Sequence, residues 1–248
     1  MLHSLWWRHA RVPLVIFLVC AVVFSTTSAD LAIARALFFD DAQMQWIGRD
    51  NWWTNEFLHT GGRWFVRACV AVALAIWVSS FTSERLRVWR RHSGYFVMAV
   101  VLSVALTGLL KVLTNVDCPW DLQQFGGKFP FVHLFADRPD GLRTASCFPA
   151  AHASSGYALL ALFFVLRDSF PKWRTAGLCV GVVMGLVFGL AQQSRGAHFL
   201  SHDIWSAFIV WIVALSVYVY AFGGELRSGE QSATREAYVV SSRAQARL

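Results

Sequence analysis

Three short polar clusters interrupt an otherwise apolar chain. The first is Lys111, leading into Asn115-Val116-Asp117-Cys118-Pro119-Trp120-Asp121. The second is Cys147-Phe148-Pro149-Ala150-Ala151-His152-Ala153-Ser154-Ser155, and the third runs from Gln192 through Arg195 and His198 to His202 and Asp203. Lysine and arginine are donors suited to a multiply charged oxyanion such as phosphate. A neutral histidine can attack phosphorus as a nucleophile. A second, protonated histidine can deliver a proton to the leaving oxygen. A carboxylate beside the nucleophile would fix its tautomer and stabilise its cation. Backbone N–H groups at a helix start add anion stabilisation, and the second cluster offers such a start just after Pro149. Together these residue types point to phosphoryl transfer through histidine. They need no metal and no cofactor, and the histidines are not in the His-Glu-x-x-His spacing of helical zinc sites.

The elements that must position these groups are membrane helices. The 248 residues are 56% hydrophobic and only 15% charged, with a mean hydropathy of +0.46. Soluble domains carry roughly 25% charged residues. The composition excludes a disordered chain, a collagen-like chain and a disulfide-dense mini-protein. A span needs about 20 mostly apolar residues, and six stretches qualify: about 12–29, 64–81, 94–113, 153–166, 176–191 and 204–222. The first resembles a signal peptide in its basic start and small-residue tail, but its long apolar run favours an uncleaved helix. Gly177, Gly181, Gly185 and Gly189 recur every four residues in the fifth stretch, a spacing that suits close helix packing in lipid. Cys20, Cys69 and Cys179 fall inside apolar runs and read as packed side chains.

The net charge of +7 is mostly topology. Arg8 and Arg11, the 84–91 segment, Arg167, Lys172 and Arg174, and the C-terminal arginines all fall on one side of six spans. The positive-inside rule makes that side cytoplasmic, with both termini there, and leaves nucleic-acid binding without support. No span separates the first polar cluster from the second, and two separate the second from the third. All three therefore emerge on the face opposite the basic loops. Residues 31–60 are too polar to span, and their tryptophans suit a connector skimming the interface. The expected fold class is all-α, a polytopic bundle of six transmembrane helices. Residues 1–93 hold two helices and the periplasmic connector, 94–223 a catalytic core of four helices, and 224–248 a cytoplasmic tail.

These residues resemble the signatures of the type 2 phosphatidic acid phosphatase superfamily, whose pattern is K-x6-R-P, then P-S-G-H, then S-R-x5-H-x3-D. Here Lys111 precedes Cys118-Pro119 by the same spacing, followed by Pro149-Ala150-Ala151-His152 and by Arg195-Gly196-Ala197-His198. The resemblance covers about residues 94–222. It implies that Lys111 binds phosphate, that His152 is the general acid, and that His198 is the nucleophile forming a phosphohistidine. Four departures stand out. Cys118 occupies the arginine position of the first signature. Ala150 and Ala151 replace serine and glycine, so the backbone at Ala151 is the remaining donor. Gln192 stands where the third-signature arginine is expected, with Arg195 one helical turn away. Four residues after His198 lies His202 rather than aspartate, with Asp203 next. Aligning on His202 instead would place Ser206 at the aspartate position, which favours His198. His202 is a candidate support for the nucleophile, Asp203 a candidate relay, and Arg143 a candidate substitute for the missing first arginine.

The resemblance implies a bacterial inner-membrane lipid phosphatase with its site facing the periplasm. Its partners would be membrane lipids and a lipid phosphate: polyprenyl diphosphate, phosphatidate, phosphatidylglycerol phosphate or lipid A. A lipid phosphotransferase, or a transporter or scaffold retaining the fold, are the alternatives. Cys118 and Cys147 both precede a signature proline. In an oxidising periplasm they form a disulfide if the two signatures converge; otherwise they are two reduced, packed cysteines.

Overall fold

In hydrocarbon, backbone N–H and C=O groups must be satisfied within their own segment, so apolar runs fold as helices. The computed structural model describes residues 2–245, with side chains described within 5–223. Its helices are α1 (Leu2–Thr26), α2 (Ala29–Phe38), a π-helix (Trp53–Gly61) continuous with α3 (Gly62–Ser79), and α4 (Arg90–Thr114). They continue with α5 (Ala151–Tyr157), α6 (Ala161–Ser169), α7 (Arg174–Ser194) and α8 (Leu200–Gln245). Among the described residues, five helices are long and apolar enough to cross a membrane: Leu5–Thr26, Trp53–Ser79, Arg90–Asp121, Pro171–Ser194 and Leu200–Gly223. The tail arginines 227, 235, 243 and 247 lie outside the described side chains.

The expected span at 153–166 is the exception. A 3-10 turn at Ala158–Leu160 divides it into α5 and α6, and nearly every side chain from His152 to Ala161 is buried. This broken helix is the centre of the bundle, and its neighbours shield it from lipid. The glycine stripe of α7 is what lets that happen. A Cβ at Gly181 would overlap the Leu160 backbone, and one at Gly185 would overlap the Tyr157 ring. The missing side chains bring α7 against α5 and the 3-10 turn at backbone distance, which gains dispersion contacts where lipid offers no hydrophobic drive. Around this centre Tyr95, Phe164, Val210, Leu215 and Tyr218 form the buried core. The two tyrosines keep their polar ends satisfied: Tyr95 donates to the Ala214 carbonyl at 3.1 Å and Tyr218 to Asp168 at 2.8 Å. Exposed valines and isoleucines such as Val12, Val15, Ile16 and Val22 stud α1, the surface a lipid-facing helix presents.

The segment joining α1 to α3 does not simply skim an interface. After α2, Phe39–Asp40 (β1) pairs antiparallel with Gln45–Trp46 (β2). Phe39 and Trp46 pack with Leu122 and Phe125 of the first signature loop and Phe199 of the third. Asn51 Oδ1 accepts from the Trp53 N–H at 2.9 Å, capping the π-helix start as asparagine does well. Trp52, Trp53 and Phe57 remain exposed, so the outer face keeps the aromatic character of an interface element while the inner face docks on the bundle.

Asp30 of α2 caps α8. Its carboxylate accepts from the Ser201 N–H at 3.0 Å and from the Ser201 hydroxyl at 2.5 Å. Burial pushes its acid strength down, raising the pKa from 3.8 to about 6 despite those hydrogen bonds and nearby His133. The folded protein therefore keeps a proton that the unfolded chain releases above pH 3.8. This contribution to stability is fully present below about pH 3.8, declines as pH rises through about 6, and is flat above. Asp30→Asn retains an acceptor but does not titrate. The stability difference between wild type and Asp30→Asn, read from detergent melting curves, is expected to change by about 2–3 kcal/mol between pH 4 and pH 7.5.

Candidate active site

Each signature segment leaves a helix end and is tied to the next by hydrogen bonds. α4 stops at Asn115, which adopts a left-handed conformation with φ 51°, a geometry asparagine tolerates. The Asn115 side chain accepts from the Ala145 N–H at 2.7 Å. Cys147 N–H donates to the Val116 carbonyl at 2.9 Å, and Thr114 donates to the Phe148 carbonyl at 2.6 Å. Cys118 and Cys147 are disulfide-bonded, with Cα atoms 5.1 Å apart. Ser206 of α8 donates to the Ala150 carbonyl at 3.0 Å, and Trp120 N–H donates to the Gly196 carbonyl at 2.9 Å. Gly196 has φ +72°, and a Cβ there would overlap the Trp46 indole; only glycine fits both the turn and the docked connector.

The disulfide closes a 29-residue separation between the first two signatures. A loop of that size corresponds to on the order of 3–4 kcal/mol of stabilisation. The Cys118→Ala, Cys147→Ala double variant is expected to melt about 10 °C lower in detergent. Adding reductant should lower the wild-type transition and leave the variant where it is.

His152 sits in the first turn of α5, buried, with its ring stacked on Phe188 at a centroid distance of 4.5 Å and 17° between planes. Ala151 and His152 supply two first-turn backbone N–H groups, which have no partner inside the helix. His198 lies in the loop between α7 and α8, 6% exposed. Burial, with His202 and Lys111 alongside, holds its imidazole well below the ordinary range. It is therefore neutral at pH 7, the state a nucleophile requires. Lys111, half-buried at the end of α4, is close enough to act electrostatically on His198 and His202. The Nδ1 atoms of His198 and His202 approach to 3.4 Å, and the Cys147 carbonyl is an acceptor within reach of both imidazoles. His202 also lines a cavity of about 40 Å³ together with Asp30, Asp117 and His133.

Arg195 follows the end of α7. Its Nη1 donates to Gln192 Oε1 at 3.1 Å, so the residue at the expected arginine position holds the arginine one turn on. Burial pulls the Arg195 guanidinium below its ordinary value, yet it stays charged. Its Nε has no protein partner. Lys111, His152, Arg195, His198 and His202 thus share one region. Asp203 turns elsewhere: Oδ2 accepts from Gln193 Nε2 at 2.5 Å, and the carboxylate packs against Gly189. Among the described hydrogen bonds none joins Asp203 to His198. Arg143 pairs with Asp121 at 2.7 Å, about half exposed.

Two contributions lay outside the three polar clusters. Arg138 forms a buried ion pair with Asp117 at 2.5 Å, and donates to the carbonyls of Asn115 at 3.1 Å and Arg143 at 3.0 Å, fastening the long loop to the first signature. The π-helix brings Leu58 and His59 to the second, and the start of α3 adds Arg63. His152 Nε2 meets the Leu58 carbonyl at 3.2 Å. The His59 ring lies 4.6 Å from that of His152, and its Nδ1 is 3.0 Å from Gln192 Nε2. A Cβ at Gly62 would strike Phe188, so this close docking depends on glycine. The available signal was a pair of ionisable residues, His59 and Arg63, at the mouth of an apolar run.

The PAP2 superfamily model matches residues 93–224. A transmembrane PAP2-type phosphatidylglycerolphosphate phosphatase from Bacillus subtilis has a similar solved structure, with a TM-score of 0.53 and 16% identity over 88% of this chain and 96% of that one. No curated protein matches the chain. The family model spans more than half of the chain, over the segment that carries the three signatures. The chain belongs to the PAP2 superfamily and is an integral-membrane phosphoric-ester hydrolase.

Proposed function

We propose that the protein removes a phosphate from a lipid phosphomonoester or diphosphate at the periplasmic face of a bacterial inner membrane, through a phosphohistidine. The observation that carries this is the pairing of a buried, neutral His198 with His152 and the two cations Lys111 and Arg195. The His198 imidazole attacks phosphorus. Burial and the neighbouring His59 lower the His152 pKa to about 3; the negative charge of a bound phosphate raises it, and the doubly protonated ring gives the leaving oxygen its proton as the bond from phosphorus breaks. Water then attacks the phosphohistidine, with His152 taking its proton, and releases inorganic phosphate. Lys111, Arg195 and the backbone at Ala151 offset the charge on the phosphoryl oxygens. His202, beside His198, holds the nucleophile's orientation and takes the place where the superfamily pattern has aspartate. The periplasmic assignment is supported by the basic loops opposite the site and by a disulfide beside it, a bond that persists in oxidising compartments.

The test is phosphate release by purified protein in detergent from a panel of short-chain lipid phosphates and diphosphates. Rapid quenching should trap an acid-labile, base-stable phosphoprotein. Release without such a species, or its trapping on a residue other than His198, would overturn the phosphohistidine route.

A further inference from the structure

We infer that the protein holds an anionic phospholipid in a groove between α4 and α8, at the end of the bundle away from the three signatures. The groove has a volume of about 870 Å³, within the range of about 300–1,000 Å³ that ligand sites occupy. Along α4 it is lined by Arg91, Tyr95, Met98 and Leu102, one stripe at helical spacing, and along α8 by Val217 and Tyr220. From Arg91 to Leu102 the stripe runs roughly 16 Å at 1.5 Å per residue, close to half of a hydrocarbon core about 30 Å thick. It is therefore about as deep as one leaflet. Lys111 lies roughly 30 Å along α4 from Arg91, so the groove is separate from the catalytic region.

The polar end carries three cations. Arg87, Arg90 and Arg91 all line the groove, and two of them are held by backbone and aromatic contacts. Arg90 donates through Nε to the Ser80 hydroxyl at 3.3 Å and through Nη2 to the Ser80 carbonyl, with its guanidinium 4.4 Å from the Phe81 ring centre. Arg91 donates through Nε to the Ala221 carbonyl at 3.1 Å and lies 4.8 Å from the Phe222 ring centre. A guanidinium matches phosphate oxygens two at a time, and side chains already fixed lose little further freedom on binding. Arg87 pairs with Glu84 at 3.3 Å, both mostly exposed, a pair weak enough for a phosphate to displace.

Charge and shape together select the occupant. Beyond the arginines the walls are mainly apolar. Met98, Leu102 and Tyr220 remain exposed among the described residues, so a lipid can enter from the surrounding bilayer. A free phosphate would meet the arginines and leave these walls unfilled. A zwitterionic lipid would fill the walls but bring its own cation to the arginines. An anionic phospholipid supplies a net negative headgroup and chains that follow the stripe, and basic pockets between transmembrane helices bind such headgroups. An arginine that merely snorkels to the interface needs no groove beneath it.

The test is thermal melting of the full-length protein in dodecyl maltoside, titrated with dioleoylphosphatidylglycerol, dioleoylphosphatidylcholine or sodium phosphate. Each variant is read against its own transition without additive. Phosphatidylglycerol is expected to raise the wild-type transition saturably and more than phosphatidylcholine does. Arg87→Gln and Arg91→Gln should each raise the half-saturating phosphatidylglycerol about 5-fold, the scale of one cation at an anionic lipid surface. Arg87→Lys should stay close to wild type, and Glu84→Gln, which removes the competing carboxylate, should lower the half-saturating amount. Met98→Trp, which fills the groove beside intact arginines, should raise it. Equal rises with the two lipids, or half-saturation unchanged in both arginine variants, overturns the site. If sodium phosphate gives a rise that the same arginine variants weaken, the site takes a free anion and the lipid assignment fails. Lys111→Gln should keep the phosphatidylglycerol rise; its loss there, with the rise intact in Arg87→Gln and Arg91→Gln, would put the lipid at the signatures and sink the inference.

Discussion

Alanine at position 198 is expected to reduce phosphate release by about 10⁴-fold or more, the loss met when a nucleophile that works as a unit with its partners is removed. The protein should still fold, since the ring is a modest part of the packing and its neighbours His202 and Phe199 are held by other contacts. No phosphoprotein should be trapped. Alanine at position 152 should cost about 10²–10⁴-fold, the range of a lost general acid, but with a different signature. An aryl phosphate such as p-nitrophenyl phosphate, whose leaving oxygen needs no proton, should recover much of the lost rate in His152→Ala and none in His198→Ala. Equal behaviour of both variants on both classes of substrate would show that the nucleophile and acid have been assigned wrongly.

The second large effect concerns stability. Arg138→Ala leaves the Asp117 carboxylate, 3% exposed, without its cation. Asp117 Oδ1 already lacks a partner, and an uncompensated buried charge costs about 3–5 kcal/mol. The variant should melt well below wild type in detergent. Adding Asp117→Asn should return much of the loss, because the charge is then gone while the side chain keeps its shape. The return in the double variant is the decisive measurement: a loss that persists would mean that Arg138 acts through its bonds to the Asn115 and Arg143 carbonyls rather than through the ion pair.

Much of the site is legible along the chain because the superfamily signatures are local. Lys111, His152 and His198 each lie in a short string beside a proline, a small-residue run or a glycine, and six expected spans would bring the strings out on one face. The substitution of Gln192 and the shift of the arginine to Arg195 are legible as a one-turn displacement, since the two are three residues apart at the end of α7. What a linear reading misses is any partner contributed by a distant stretch. His59 stands 93 positions before His152, in a segment whose tryptophans advertise an interface helix and mask the face turned inward. Arg138 sits in a loop with no periodicity, so nothing in its neighbours ties it to Asp117. The contact direction of Asp203 is equally hidden: the step from His202 to Asp203 is about 100° around a helix, and only packing decides which of the two meets His198.

The sequence by itself determined that this is a helical membrane protein with phosphoryl chemistry, because hydropathy sets which segments cross lipid and the three signatures are local strings. The tertiary structure alone decided how the pieces meet: the stretch at 153–166 becomes the buried centre because the α7 glycines admit it, His202 rather than Asp203 faces His198, and the π-helix before α3 packs against His152. Those outcomes depend on which side chains fill or vacate a shared volume, and volume is a property of neighbours in space that no local pattern encodes.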